Sequence, residues 1–377
     1  MSFDFDVLVD RRGSSSTKWQ KFAPEVLPMW VADMDFAAPG FVLEAISERL
    51  RHPILGYTDT PASLDEAFQA WLQSCFGWQV PEEWLVWIPG VVPGLNLACR
   101  TQSGTRSGLM IPTPVYHPFL DLAANAGLSE QRVPMEPVDG KWVMDIERMQ
   151  AHCVADTSMV LICNPHNPTG RAYTPNELEA VAEFVERNDL LLVVDEIHCN
   201  ILLKQGIQHH PIAHICPDIA ERTVTLYSVT KIYNIPGVSC AVAVVPDPVL
   251  RERFKDVRSG LLPGIGPLGF TAAEAAFRDE TTWVSDLVTY LRGNYAELVK
   301  SMGDRLSVLE ATYLAWIDVR DLELTDAETH FVAHGIGISP GSQFDGDGHI
   351  RLNFGCPRQT LLEGLERLSS GIDAALK

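Results

Sequence analysis

Positive charge is scarce in this 377-residue sequence, which has 29 lysines and arginines against 49 aspartates and glutamates and a formal net charge of −20. Such an acidic surface repels nucleic-acid phosphates and anionic membranes, so we expect neither as a partner. The sequence also lacks an apolar run long enough to span a bilayer. Its start, "MSFDFDVLVDRRG", lacks the basic-then-apolar pattern of a signal peptide.

Closely spaced cysteines are also lacking. The eight cysteines are scattered and include no CxxC pair, which argues against a disulfide framework and against a zinc site. We therefore expect reduced thiols in a cytoplasmic protein. We expect no metal at the histidine-rich stretch "HHPIAH" (209–214) either, because Pro211 would break any helix that aligned its histidines. We predict a loop there.

Apolar residues make up 46% of the chain and charged residues 21%, a composition typical of a globular protein. Short apolar runs punctuate its middle and predict strands: "SGLMIP" (107–112), "SMVLIC" (158–163), "LLLVVDE" (190–196), "TVTLY" (223–227) and "CAVAVVP" (240–246). Because these runs have no polar face, they indicate a parallel sheet covered by helices on both sides. A helix is predicted between two of them, with Thr174 as its cap, Pro175 in first position and Glu177 completing a capping box. The predicted fold class is α/β, with a mostly parallel sheet.

The last hundred residues have a different pattern. Long amphipathic helices there flank weaker strands such as "TYLAWIDV" and "HIRLNF". This pattern predicts a smaller α+β domain over 271–377, to which residues 1–45 contribute, beside a large domain over 46–270.

Polar residues at the ends of the predicted strands are candidates for a ligand site, because ligands of open α/β sheets lie beyond the carboxyl ends of the strands. Lys231 follows the strand at 223–227, where loss of water would lower its pKa and make the amine a nucleophile toward carbonyls. Ser228 and Thr230 beside it offer hydroxyls that suit a phosphate. Asp195 ends another strand, where a carboxylate is costly unless a cation or a protonated ring nitrogen balances it. A surface lysine and a helix-capping acid are the alternatives.

Three further side chains extend this site. "NPHNPTG" (164–170) is a rigid turn in which Asn167 offers a fixed amide, or it is simply a tight loop. Tyr116 follows the strand at 107–112 and stacks on a flat ring or belongs to the core. Arg351 lies in an apolar strand, where its planar group binds a carboxylate at two points or forms a salt bridge within the domain.

A helix N-terminus completes the set. "IPGVVPGLNLACR" (88–100) predicts a turn into a helix, with free amides at Gly90, Val91 and Val92 that form an anion site. Together these groups predict a site for pyridoxal phosphate acting on an amino acid. The lysine would react with the aldehyde of the cofactor, the carboxylate would face its ring nitrogen, and the amides and hydroxyls would bind its phosphate. The arginine would bind the carboxylate of the substrate.

The motifs occur in the order found in a known family. "NPHNPTG", "DEIH", "SVTK" and "RLNF" resemble the fold-type I, aspartate-aminotransferase-like enzymes that use pyridoxal phosphate. "DRRGSSSTKW", "LPMWVADMDF", "GYTDTP", "PGVVPGL" and "TKIYNIPG" are similar to the MalY/PatB cystathionine β-lyase (C–S lyase) branch, from about Val9 to Arg358.

The resemblance implies a role for each matching residue. Lys231 would hold the cofactor as an imine, with Asp195 at the ring nitrogen and Asn167 at the ring oxygen. Further contacts would come from Tyr116 over the ring, His198 near the ring oxygen, Val91, Val92, Ser228 and Thr230 at the phosphate, and Arg351 and Ala32 at the substrate. Tyr57 would reach the phosphate of a neighbouring subunit, which implies a homodimer.

Two positions depart from the wider family. His198 stands where aminotransferases often have a tyrosine, and Ser239 stands where many relatives have a phosphate-binding arginine. The branch implies cleavage of cystathionine or related S-substituted cysteines to a thiol, pyruvate and ammonia. An aminotransferase on the same scaffold and a non-catalytic regulatory binding protein are the alternatives.

Overall fold

The computed structural model describes residues 3–102 and 106–377, so the first two residues of the predicted N-terminal segment and residues 103–105 of the predicted large domain lie outside it. Its strands are β1 (Leu27–Pro28), β2 (Leu85–Ile88), β3 (Gly108–Thr113), β4 (Ser129–Pro134), β5 (Glu136–Val138), β6 (Lys141–Val143), β7 (Thr157–Cys163), β8 (Leu191–Asp195), β9 (Thr223–Tyr227), β10 (Ala241–Val244), β11 (Leu314–Asp318), β12 (Ile336–Gly337), β13 (Ser339–Pro340) and β14 (His349–Asn353).

Helices connect and cover these strands. They are α1 (Thr17–Gln20), α2 (Gly40–Leu50), α3 (Ala62–Phe76), α4 (Val91–Arg100), α5 (Leu122–Ala126), α6 (Ile146–His152), α7 (Pro175–Arg187), α8 (Ile212–Ile215), α9 (Pro248–Arg258), α10 (Pro267–Phe277), α11 (Trp283–Met302), α12 (Ala327–Ala333) and α13 (Arg358–Ala375). Within the described ranges, none of these helices is both long and apolar enough to cross a membrane.

A seven-stranded sheet with the order β2-β10-β9-β8-β7-β3-β4 forms the centre of the molecule. The neighbours from β9 to β4 are parallel, which confirms the predicted α/β class with a mostly parallel sheet. The apolar run at 240–246 does form a strand, but the prediction that it is parallel is wrong: β10 is antiparallel to both β9 and β2. Because direction reverses twice, β2 points the same way as the parallel strands, and their carboxyl ends share one edge.

Alternate residues of the central strands face opposite hydrophobic layers. On β3, Leu109 and Ile111 pack in the layer that contains Leu95 of α4, whereas Met110 packs in the layer that contains Phe184 of α7. Successive strand side chains point to opposite faces, so a strand covered on both sides is apolar at every position. This explains the continuous apolar runs of the sequence.

Helix α7 begins with the predicted capping box. The backbone amide of Glu177 donates to Thr174 Oγ1 at 3.3 Å, and the amide of Thr174 donates back to Glu177 Oε2 at 2.8 Å. Arg171 extends this cap, because it binds both Glu177 and the buried Glu310, each at 2.8 Å. The turn that precedes α7 is therefore anchored to the C-terminal part of the chain.

The N-terminal segment joins the C-terminal elements. Strand β1 pairs in parallel with β12, with Leu27 opposite Ile336. Nearby, β11, β14 and β13 form an antiparallel sheet, and α11 packs against α13. The stretch at 209–214 is only partly the predicted loop. Pro211 is the N-cap of α8, and the residues of the stretch that follow it belong to this helix.

Candidate active site

A cavity of about 180 Å³ lies at the shared carboxyl edge of the central sheet. Asn167 follows β7, Asp195 ends β8 and Lys231 follows β9, so three neighbouring strands deliver these side chains. Nine of the twelve predicted site residues line the cavity: Ala32, Val91, Val92, Tyr116, Asn167, Asp195, His198, Thr230 and Lys231. Arg351, Ser228 and Tyr57 lie outside its lining.

Lys231 is held as a partly buried, hydrogen-bonded amine. Its Nζ donates to the backbone carbonyl of Ala32 at 2.6 Å. Burial lowers the pKa of Lys231 to about 8, although the negative charges of Asp33 and Asp195 oppose the shift. A lysine with this pKa has a sizeable neutral fraction near pH 8, and the neutral amine is the nucleophilic form.

Asp195 is a buried carboxyl group at the end of β8, with only 3% of its surface exposed. Burial raises its pKa to about 7, against the opposing hydrogen bond from the Ile197 amide at 3.0 Å and the positive charge of Lys231. The charged form is therefore costly in this structure. A cation placed against Asp195 would remove that cost, which is what a protonated ring nitrogen would do.

Arg351 is buried beside the cavity and contacts neutral groups. Its Nη1 donates to Asn167 Oδ1 at 2.9 Å, and its Nη2 donates to the Trp30 carbonyl at 2.8 Å. Its guanidinium lies over the ring of Phe344, 4.5 Å from the centroid. No salt bridge joins Arg351 to an acid in the described part of the chain, so the alternative of a structural ion pair is wrong. Its Nε also has no partner there.

His198 is neutral in its surroundings. Burial, followed by the positive charges of Lys231 and Arg351, lowers the pKa of His198 to about 3. Its ring stands edge-on to Tyr313, with centroids 5.9 Å apart. Its Nδ1 is buried and has no hydrogen-bond partner among the described residues. A polar atom is therefore available at the cavity wall.

The N-terminus of α4 forms one end of the cavity. Gly90 caps the helix with a φ of 139°, a region that favours glycine. The first helical hydrogen bond runs from the Gly94 amide to the Gly90 carbonyl at 3.2 Å, so the amides of Val91 and Val92 precede it. Free amides at a helix N-terminus suit an anion such as a phosphate.

The hydroxyls at the predicted phosphate end are engaged within their own loop. Ser228 Oγ donates to the Cys240 carbonyl at 2.7 Å and lies 2.8 Å from Thr230 Oγ1. Since Ser228 has one hydroxyl hydrogen, Thr230 is the donor of the second bond, and either residue would have to turn to reach a phosphate. Ser239 is exposed with a φ of 49°. Tyr57 is fully exposed on a segment without regular secondary structure.

Several contacts at the site gave no signal in the sequence, although Ala32 itself was predicted at the substrate. The carbonyls of Trp30 and Ala32 hold Arg351 and Lys231, and the Tyr313 hydroxyl also donates to Ala32 at 3.1 Å. Phe344 lies under the guanidinium of Arg351. Backbone carbonyls are present at every residue, so only the fold reveals which ones matter.

The donor set fits pyridoxal phosphate. A partly buried amine with a lowered pKa matches an aldehyde, and a buried carboxyl group with a raised pKa matches a ring nitrogen. The free amides of α4 match a phosphate. These groups, at one edge of a parallel sheet, are typical of α/β enzymes that work through a lysine-bound cofactor.

Comparisons with known proteins agree with this class. The chain belongs to the aminotransferase class I and II family, whose model matches residues 24–368. It is 33% identical over 387 residues to cystathionine beta-lyase PatB of Bacillus subtilis (strain 168), covering 98% of this chain and 100% of that protein. Both the predicted family and the predicted branch are confirmed.

Two solved structures are also similar over almost their whole length. The crystal structure of OvoB superposes with a TM-score of 0.95 and 39% identity, over 98% of this chain and 99% of that one. Cystalysin from Treponema denticola, whose crystal structure contains pyridoxal 5′-phosphate, superposes with a TM-score of 0.94 and 27% identity over 100% of both chains.

Proposed function

We propose that this protein is a pyridoxal-phosphate-dependent C–S β-lyase that cleaves cystathionine or related S-substituted cysteines to a thiol, pyruvate and ammonia. The observation that carries the proposal is that the partly buried amine of Lys231 and the buried carboxyl group of Asp195 line one cavity, with pKa values shifted to about 8 and about 7. The full-length similarity to PatB, named a cystathionine beta-lyase, supports the same reaction.

The residues of the chain divide the work of an elimination. When bound, pyridoxal phosphate draws electrons from the substrate's α-carbon, which makes the proton there removable. Lys231 removes that proton, because it is the cavity's amine and its lowered pKa leaves much of it neutral. Asp195 holds a proton at the ring nitrogen. Arg351 holds the substrate's carboxylate, and the sulfur leaves from the β-carbon as a thiolate.

The remaining contacts belong to the same proposal. Asn167 faces the ring oxygen with its Nδ2, because its Oδ1 accepts from Arg351. Tyr116 covers the ring, His198 lies near the ring oxygen, and Ala32 borders the substrate. The amides of Val91 and Val92 would hold the phosphate, and the hydroxyls of Ser228 and Thr230 would join them after turning from their present partners, which would compensate for the serine at 239.

We also propose a homodimer with shared sites. Ile54, Leu55 and Tyr57 are exposed by 67%, 53% and 112% on one segment without regular secondary structure. Apolar side chains in such a row are typical of a surface that another subunit covers. In the dimer, Tyr57 reaches the phosphate of the neighbouring site.

The proposal also includes a division into two domains and a cellular location. Residues 46–270 form the cofactor-binding domain, and residues 1–45 and 271–377 form the small domain, a division supported by the pairing of β1 with β12. All eight cysteines lie in the described ranges and none is in a disulfide, which supports a reducing compartment such as the cytoplasm.

The test is incubation of the purified protein with L-cystathionine in the absence of any keto acid. A C–S lyase releases thiol and pyruvate in equal amounts under these conditions. Turnover that requires a keto-acid acceptor would instead identify an aminotransferase. Lys231→Ala is the control: it should abolish both turnover and the visible absorption of the bound cofactor. A parent protein that binds no cofactor would support the regulatory binding protein.

A further inference from the structure

A second buried acid follows Asp195 directly in the chain and lies outside the cavity. The Oε2 of Glu196 lies 2.8 Å from the Nε2 of His209, which is a hydrogen-bond distance. Both side chains are completely buried. The backbone amide of Glu196 donates to the Leu226 carbonyl at 2.9 Å, on the strand that leads to Lys231. Asp195 lines the cavity, whereas the buried Glu196, one residue beyond the end of β8, does not.

The surroundings of this pair are aromatic. Phe76 stands edge-on to the His209 ring, with centroids 5.2 Å apart, and Tyr227 lies in the same layer. The Nδ1 of His209 is buried without a hydrogen-bond partner in the described ranges. The Tyr227 hydroxyl lies near Glu196, and the carboxyl group contributes to raising the pKa of Tyr227. A carboxylate in such a place is costly unless a positive charge compensates it.

Stability alone does not account for such a pair. Replacing a buried ion pair with apolar residues of similar volume is often neutral or stabilising, whereas removing one partner leaves an uncompensated charge. A buried pair of this kind often contributes no more stability than an apolar contact of the same size. Its position behind Asp195 offers a reason to keep it.

The two acids affect each other electrostatically, and each has its own set of titratable neighbours. Tyr116, Cys163 and Lys231 face Asp195 from the cavity side, while His209, Tyr227 and Cys199 surround Glu196. A negative charge on Glu196 makes a negative charge on Asp195 less favourable. A positive charge on His209 would offset this effect, because the pair would then be neutral as a whole.

We propose that His209 and Glu196 form a buried ion pair that sets how strongly Asp195 holds the proton shared with the cofactor's ring nitrogen. Both are positioning residues, since neither reaches the cavity and both act through Asp195. The inference rests on the proposed use of pyridoxal phosphate. It assigns a role to the histidine stretch that the sequence could explain only as a loop.

The test compares His209→Gln, Glu196→Gln and the double variant as holoenzymes. A glutamine at 209 keeps a donor but removes the positive charge, so Asp195 should retain its proton and the ring nitrogen should lose positive charge. The lysine-bound imine then holds its own proton more tightly. The pH titration of the visible absorption band should move up by about half a pKa unit or more. The kcat for elimination should fall several-fold while KM stays within about twofold.

The double variant carries no charge at the pair and should return to the parent titration. Glu196→Gln alone removes the negative charge beside Asp195, so its titration should not move up as that of His209→Gln does. His210→Gln is the matched control, since it changes the neighbouring histidine outside the pair, and it should leave the titration unchanged. The proposal is overturned if the titration of the double variant shifts as far as that of His209→Gln. It is also overturned if His209→Gln titrates at the same pH as the parent.

If His209→Gln does not fold, His209→Asn is judged by the same criteria. If neither folds while the double variant does, the pair serves stability alone and the proposal falls. Failure of this inference is distinct from failure of the proposed function. A parent protein without a visible band contradicts the function, whereas a band with identical titrations in all variants contradicts only the role of the pair.

Discussion

Arg351 and Asn167, 184 residues apart in the sequence, are joined by a hydrogen bond of 2.9 Å from Nη1 to Oδ1. The contact ties strand β14, near the end of the chain, to the turn after β7. It also orients the amide of Asn167, because only the oxygen can face a guanidinium donor. One arginine thus serves a predicted substrate contact and a predicted cofactor contact.

Replacing Arg351 with alanine should lower kcat/KM for amino-acid substrates and leave the visible absorption of the bound cofactor unchanged. Loss of a two-point, charge-assisted contact should cost about 2–4 kcal/mol, or roughly 30- to 1,000-fold in kcat/KM. Arg351→Lys should recover part of this, since an ammonium cannot match a planar carboxylate at two points. The measurement is kcat/KM for S-substituted cysteines.

Decarboxylated analogues of the same cysteines are the control substrates. The parent should use them poorly, and Arg351→Ala should hardly change their rates, because they have no carboxylate to lose. Equal losses for both substrate sets would mean that Arg351 supports the fold of the site through Asn167 and does not bind the carboxylate.

Removal of the cofactor should make the unfolding free energy depend on the protonation of the buried Asp195. Its pKa is about 7 in the folded state, compared with about 4 in an unfolded chain, so the folded protein binds this proton more tightly. The resulting stabilisation is fully present below about pH 4 and is lost as the pH rises through about 7. The apoprotein should therefore lose on the order of 2–4 kcal/mol of unfolding free energy from this group between pH 4 and pH 7.5.

Asp195→Asn isolates that contribution, because the amide does not titrate. Denaturant unfolding of both apoproteins between pH 5 and pH 7.5 should show a steeper loss in the parent. Lys231 does not interfere in this window: its pKa is lowered to about 8, so it is mostly protonated in both the folded and the unfolded states. Parallel stability curves would show that Asp195 is ionised throughout.

Mixing two inactive variants should restore activity if the sites are shared. Tyr57→Ala removes the residue proposed to cross to the neighbouring site, and Lys231→Ala removes the reactive amine. A mixed dimer then has one site with both residues intact and one with neither. Random reassortment should recover about one quarter of the parent activity, because half of the dimers are mixed and each has one intact site. Activity no higher than that of Tyr57→Ala alone would show that Tyr57 does not act in the site of the neighbouring subunit.

The buried charge cluster near the N-terminus should matter for stability. Lys18 is 1% exposed, and its Nζ donates to Asp35 Oδ2 at 2.6 Å and to the Asp33 carbonyl at 3.1 Å. Lys18→Met should cost about 3 kcal/mol of unfolding free energy, because it leaves part of a buried carboxylate uncompensated. Denaturant unfolding measures this cost.

Lys300→Met is its surface counterpart. Lys300 is 70% exposed and pairs with Glu297 at 2.7 Å. This change should alter the unfolding free energy by about 0.5 kcal/mol or less, because exposed pairs contribute little. Similar costs for the two variants would show that Asp35 is sufficiently compensated by Arg11, which lies 2.7 Å away.

Local features of the sequence predicted much of the fold. The apolar runs predicted the central strands, and Thr174, Pro175 and Glu177 predicted the start of α7, because burial of both strand faces and helix capping each leave a pattern in adjacent residues. The direction of β10 left no such pattern. A short strand buried on both faces is apolar whether it runs parallel or antiparallel.

The site was predictable where a side chain is costly at its own position. Lys231 and Asp195 stood out because charges follow apolar strands. The pairing of Glu196 with His209 did not, because it depends on a loop that returns 13 residues later. The contact of Lys231 with the Ala32 carbonyl depends on chain folding across 199 residues. The roles at the cofactor remain predictions.

The pairing of β1 with β12 constrains when the site can form during synthesis of the chain. The carbonyls of Trp30 and Ala32, which hold Arg351 and Lys231, follow β1 directly, and β1 has its strand partner only once Ile336 has been made. A nascent chain that has completed the central sheet therefore still lacks the segment that covers the reactive lysine. Translation must approach the last helix before the amine is held in place, so unfinished chains would not yet have an organised site for amino acids.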